Sequence, residues 1–175
     1  MDPKLSGHMT RVRQLREAFA RANERLVARL RAADVEAAER VPDGGWSAAQ
    51  IGWHVAAVTT RFAGLISGEG TGAQPLPDGF RERSWEEVAA SIPERLTAPS
   101  SAVPPPVVSR DDAISLLEAS GMRMARAFDR LTRERGGTMG ITHRVTGTIT
   151  IYQVGDWATA HVIRHNRQAK QVLGG

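Results

Sequence analysis

Apolar residues at Val12, Leu15, Phe19, Ala22, Leu26 and Leu30 recur at intervals of three and four, which predicts an amphipathic helix from Thr10 to about Ala32. Pro42, Asp43, Gly44 and Gly45 then break the pattern, so the stretch from Val35 to Gly45 is expected to turn. Ser47 followed by Gln50 is the signature of a capping box, in which serine accepts from an early backbone N–H and glutamine reaches back to the cap. The helix it opens carries Ile51, His54, Val55, Val58, Phe62 and Leu65 on one stripe, and Gly68 and Gly70 should end it.

From Gly70 to Ser109 the chain is irregular and rich in proline, apart from a capping-box signature at Ser84 and Glu87 that predicts a short helix from about Trp85 to Leu96. Trp85 is expected to pin that helix to the body of the domain. The run Pro104-Pro105-Pro106 should be extended, because each ring disfavours helical geometry in the residue before it. Ser109 caps a third long helix with Asp111 and Asp112 in its first turn and Ile114, Leu117, Met124, Phe128 and Leu131 as its stripe. Arg133, Glu134 and Arg135 should close it before Gly136-Gly137. The polar stretch from Thr138 to Thr148 reads as a loop with a short hairpin about Thr146-Gly147. Thr150 and Gln153 form a third capping box, opening a last helix whose stripe is Val154, Trp157, Ala158, His161, His165, Gln168 and Val172. The pattern as a whole is all-α: a four-helix bundle with a long crossover, bearing a short extra helix, between its second and third helices.

Three histidines stand where core residues belong. His161 and His165 are four residues apart on one helix, so their imidazoles project one turn apart from the same face and can share a metal ion. A third ligand is needed, and His54 lies on the buried stripe of the second helix. A lone histidine on an apolar face is ordinarily a hydrogen-bonded core residue, and for His54 taken singly that reading stays open. His143, in the polar loop, has no helical partner and is expected at the surface. Three neutral imidazoles leave a coordination position for water or substrate, as catalytic rather than structural zinc sites do. An all-nitrogen site discriminates weakly among divalent metals; zinc or nickel is expected.

Composition narrows the functions. A chain of 175 residues, poor in aromatics and with abundant alanine, fits one soluble helical domain. It has no cysteine, so any thiol chemistry must use a thiol brought from outside. The net charge of +4 comes with arginines that alternate with acids along the first helix, a solvated face and not a nucleic-acid surface. No apolar run approaches the ~20 residues that span a bilayer, and a cytoplasmic protein is the simplest reading. Residues 1–8, ending before Met9, look like a vector-derived leader, which leaves 9–175 as a single domain. Alanines on several helix faces, with Trp53 and Trp157 beside ligand positions, point to a homodimer.

The motifs have a family likeness. Trp46-Ser47-Ala48-Ala49-Gln50-Ile51-Gly52-Trp53-His54 is similar to the second helix of the DinB-like family of small bacterial helical-bundle proteins, also described as damage-inducible or YfiT-like. The spacing His161-x-x-x-His165-x-x-Gln168 resembles that family's last helix, and the likeness covers almost the whole chain after Met9. It implies a divalent metal held by His54, His161 and His165. Family members include enzymes that use low-molecular-weight thiols such as mycothiol or bacillithiol, and the arginine-rich, lysine-poor composition, typical of high-GC genomes, favours mycothiol. The long proline-rich crossover departs from the family pattern and is expected to reshape the substrate mouth.

Neither histidine stripe carries an aspartate or glutamate that could serve as general base. That favours a metal-dependent thiol transferase acting on a small-molecule substrate. A metal-dependent hydrolase and a non-catalytic, metal-binding stress-response protein are the alternatives, so whether the chain is an enzyme stays open here.

Overall fold

The computed structural model describes residues 3–93 and 96–174. Its long helices are α1 (Pro3–Ala32), α3 (Ala48–Ser67), α5 (Arg110–Arg130) and α7 (Ile151–Val172), with the short helices α2 (Val35–Glu39), α4 (Trp85–Ala90) and α6 (Arg133–Thr138) in the connections. The long helices pack as a ring in the order α1, α5, α3, α7. This is the helical bundle that the periodicity predicts. Leu15, Phe19, Leu26 and Leu30 of α1, Ile51 and Val55 of α3, Leu117, Met124 and Phe128 of α5, and Val154, Ala158 and Val162 of α7 are buried in one continuous core. Gly68 ends α3 in the left-handed conformation (φ +86°) that glycine adopts without a Cβ clash.

All three capping boxes form, and two of them do more than cap. Gln50 accepts from the Ser47 backbone N–H, and its Nε2 also donates to the carbonyls of Pro105 and Pro106, both at 3.0 Å. Gln153 likewise accepts from the Thr150 N–H while its Nε2 donates to the Arg83 carbonyl at 2.7 Å. Both glutamines are buried. Proline-rich chain cannot supply its own hydrogen-bond ladder, so these amides fasten the crossover to the starts of α3 and α7. Trp85 packs against the core as expected, and Val88 of α4 is fully buried.

Several boundaries differ from the periodic reading. Helix α1 begins at Pro3 instead of Thr10, and His8, in the stretch that resembles a leader, has Nδ1 2.6 Å from the Tyr152 hydroxyl. Between α1 and α3 the chain forms α2, capped by Asp34, where only a turn was expected; five residues are too few for a periodic signal. Helix α4 stops at Ala90 and not near Leu96, because Pro93 disfavours helical geometry in Ile92. Glu94 and Arg95, within the expected span, lie outside the described residues.

The third long helix also ends early, at Arg130. Leu131 turns extended and buries its side chain, and Thr132 caps α6, which runs through Gly136-Gly137. The break aims Arg135 at the end of α3, where its guanidinium donates to the Leu65 and Ile66 carbonyls at 2.7 and 3.1 Å, satisfying acceptors that a helix terminus leaves unpaired.

A small antiparallel sheet departs from the all-helical expectation: β1 (Gln74–Pro75), β2 (Met139–His143) and β3 (Gly147–Thr150), in that order. The β2–β3 hairpin turns next to Gly147 (φ +67°), where a short hairpin was expected, with Ile141 opposite Ile149. The sheet ties the crossover to the segment that leads into α7.

The double duty of the glutamines is testable by denaturant unfolding. Gln50→Glu and Gln153→Glu keep the capping acceptor but turn a carboxylate toward carbonyls, so each should cost about 1–3 kcal/mol of stability. Glu87→Gln, in the exposed box of α4, should change stability by less than about 0.5 kcal/mol.

Candidate metal centre

His54 comes from α3 and His161 and His165 from α7, neighbours in the bundle, and one ring nitrogen of each lies within 4.8 Å of the others. The expected trio is thus assembled across 107 residues of sequence, with His54 Nε2 3.2 Å from His161 Nε2. His54 and His165 are buried; His161 is half-buried as a residue, but its Nδ1 is inaccessible. Among the described residues, the cluster contains no carboxylate.

Second contacts set the tautomers. The Nδ1–H of His54 donates to the Ala102 carbonyl at 2.7 Å, which leaves the Nε2 lone pair facing His161. The Nδ1–H of His165 donates to Gln168 Oε1 at 2.8 Å, leaving its Nε2 lone pair buried and without a protein partner. Ala102 belongs to the 3₁₀ turn Ser100–Ala102, a few residues ahead of the prolines that Gln50 holds. The crossover therefore orients a site residue from behind, beyond any part it has in shaping the mouth.

Electrostatics keeps the rings neutral. Burial pushes the His161 pKa well below its ordinary value, and the neighbouring imidazoles and the Arg164 charge push the same way. Burial, then His54 and Arg164, brings His165 down to about 3. His54 is also lowered, mainly by burial and partly by Arg164, against the opposing pull of its bond to Ala102. Neutral imidazole is the form that binds metal.

Aromatic rings wall the cluster. Trp46 lies 5.0 Å from the His54 ring, and Phe62 lies 6.4 Å from His161 and 5.4 Å from Trp157. Trp157, read from sequence as a ligand neighbour, packs against Phe62 and His143. His143, expected at the surface, is half-buried on β2, its ring 5.0 Å from Trp157, and its Nδ1 accepts from the Val145 N–H at 3.2 Å. Burial lowers its pKa, with help from Arg144 and Arg61. It stands outside the cluster.

Bundle architecture, motif positions and the converging histidines agree with a sequence comparison: the DinB superfamily model matches residues 18–169, a span containing all three histidines. The chain belongs to the DinB superfamily. Nothing matches it among curated proteins or solved structures.

The donor set of this DinB protein fits a divalent cation. Ligand nitrogens on an ion with bonds of about 2.0–2.1 Å in tetrahedral geometry stand about 3.3 Å apart, close to the His54–His161 separation. The buried His165 lone pair has no protein donor and is free for a cation, and Ala102 and Gln168 already hold the outer nitrogens of two rings, as groups behind metal-binding histidines do. Sequence reading missed Ala102, since a backbone carbonyl leaves no residue signal. Gln168 was visible in the motif but without a role, although its place three residues after His165 on the same stripe is the clue.

Depressed pKa values imply pH-dependent stability. Between each lowered folded-state value and the unfolded value of about 6.5, the unfolded chain binds more protons, so stability rises with pH in that window. Metal-free protein should be most stable above about pH 6.5 and lose stability progressively as pH falls toward about 3, the folded value for His165. Urea midpoints at pH 7.5 and pH 5 measure this, and the slope should be shallower in His165→Leu.

Proposed function

We propose that this DinB-superfamily protein is a metal-dependent transferase that joins a low-molecular-weight thiol, of the mycothiol or bacillithiol type, to an electrophilic small molecule. The carrying observation is a cluster of three neutral imidazoles with no carboxylate among them. A divalent ion held by His54, His161 and His165, zinc or nickel by the nature of the donors, would supply Lewis acidity that favours thiolate over thiol at neutral pH. The chain has no cysteine, so the sulfur nucleophile comes from a cosubstrate.

In the transfer, a sulfur–carbon bond forms as the bond between that carbon and its leaving group breaks. The thiol proton passes to solvent and the leaving group departs with the bonding pair. Trp46, Phe62 and Trp157 would shield the nucleophile from water and receive an apolar electrophile. A metal ion activates water as well as thiol; what favours the thiol is that, among the described residues, no carboxylate joins the histidine cluster to assist a hydrolytic step as general base. A cytoplasmic setting, where small thiols stay reduced, goes with this reading.

Thiol consumption by metal-loaded protein, with mycothiol, bacillithiol and glutathione against monochlorobimane, tests it. At least one thiol should react above the buffer rate, and His161→Ala should lower that rate at least about 100-fold. Equal rates in both proteins, or turnover of an ester panel without thiol consumption, would favour a hydrolase. Silence in both assays with metal bound would favour a non-catalytic binding role.

A further inference from the structure

Arg11, Arg29, Arg110, Arg135 and Arg164 are the half-buried arginines among the described residues. Arg11 pairs with Asp156, Arg29 donates to Asn166, Arg110 to Asp111 and the Ala33 carbonyl, and Arg135 to two carbonyls of α3. Arg164 alone has neither an ion pair nor a hydrogen bond in the described structure. None of its nitrogens is a buried atom without a partner, so the guanidinium keeps its contact with solvent and its N–H donors are open to an incoming acceptor.

Its position says what it faces. Arg164 lies three residues after His161 and one before His165, so it neighbours His161 on the surface of α7. Its charge acts on all three imidazoles, those of α7 and His54 across the helix interface. The imidazoles are neutral and no carboxylate joins them, so a bound divalent ion would keep its full charge beside that of Arg164. A site with this charge, and with no carboxylate in its histidine cluster among the described residues, is complemented by an anion on the molecule it receives.

We infer that Arg164 is the receptor for a carboxylate, or a comparable oxyanion, on the small molecule that docks at the histidine cluster. The planar guanidinium fork takes both carboxylate oxygens, fixing the ligand's orientation as well as its affinity. Arg164 is thereby a specificity-determining residue: the substrate class is acidic, and a neutral analogue leaves the guanidinium without a partner. The inference rests on the histidines holding a metal ion and deepens the thiol reading by adding a charged group to one reactant.

Binding to cobalt(II)-loaded protein, read from its visible absorption, tests this without turnover. The probes are 3-mercaptopropionate and 3-mercaptopropionamide, which differ in charge but hardly in shape, and propionate with propionamide as the sulfur-free pair. Wild-type protein should bind each acid about tenfold or more tightly than its amide. Arg164→Gln should remove that preference with metal content and amide binding unchanged, and Arg164→Lys should restore part of it. Equal affinity for acid and amide in the wild type would overturn the inference. So would a preference that survives in Arg164→Gln, because the carboxylate would then be bound elsewhere. If propionate binds through Arg164 while neither thiol perturbs the thiol–cobalt absorption, the anion receptor stands and the thiol reading fails. If no probe binds to metal-loaded protein, the receptor is refuted.

Discussion

Packing α3 against α7 brings one ring nitrogen from each of three buried or half-buried imidazoles within 4.8 Å of the others, where unmatched polar atoms are costly. The surroundings answer part of that demand from outside. The Ala102 carbonyl and the Gln168 amide oxygen take the outer protons of His54 and His165, which forces the inner lone pairs to converge. The other part is left to whatever positive group the inner nitrogens can share. Burial makes protonation of the rings themselves expensive, and a nearby guanidinium makes it more so, so the rings stay in the neutral form that a metal cation can bind.

Holding the carbonyl of Ala102 in place falls to a segment that is poor in regular structure. Prolines in the crossover remove backbone donors and stiffen the chain, so it needs anchors supplied by other elements. Gln50 provides one from the first turn of the helix that carries His54, and Gln153 provides another from the first turn of the helix that carries His161 and His165. The same residues that start the two site-bearing helices thus fix the chain passing behind them. The small sheet adds a third anchor through the pairing of β1 with β2.

Helix positions were legible because each long helix shows its core in a stripe: Leu15 to Leu30, Ile51 to Leu65, Ile114 to Phe128 and Val154 to Val172 all fall at helical spacing. Capping boxes at Ser47, Ser84 and Thr150 marked the starts correctly, since the signal is local chemistry. The break at Leu131 was hidden, because Arg133-Glu134-Arg135 favours helix and the reason to stop is tertiary: burying Leu131 and carrying Arg135 to the end of α3. Helix α2 and the two-residue strand β1 were too short to show a period. In the site, the histidines could be read because two stood one turn apart on a core stripe. Ala102 could not, since its contribution is a backbone atom, and Arg164 gives no sign in sequence that it lacks a partner among so many arginines.

Metal analysis of purified protein tests most directly whether the three imidazoles form one ion-binding centre. Wild-type protein should hold about one divalent ion per chain, and both His54→Ala and the His161→Ala/His165→Ala double variant should lose it while remaining folded. Undiminished metal content in either variant would contradict a shared centre of His54, His161 and His165.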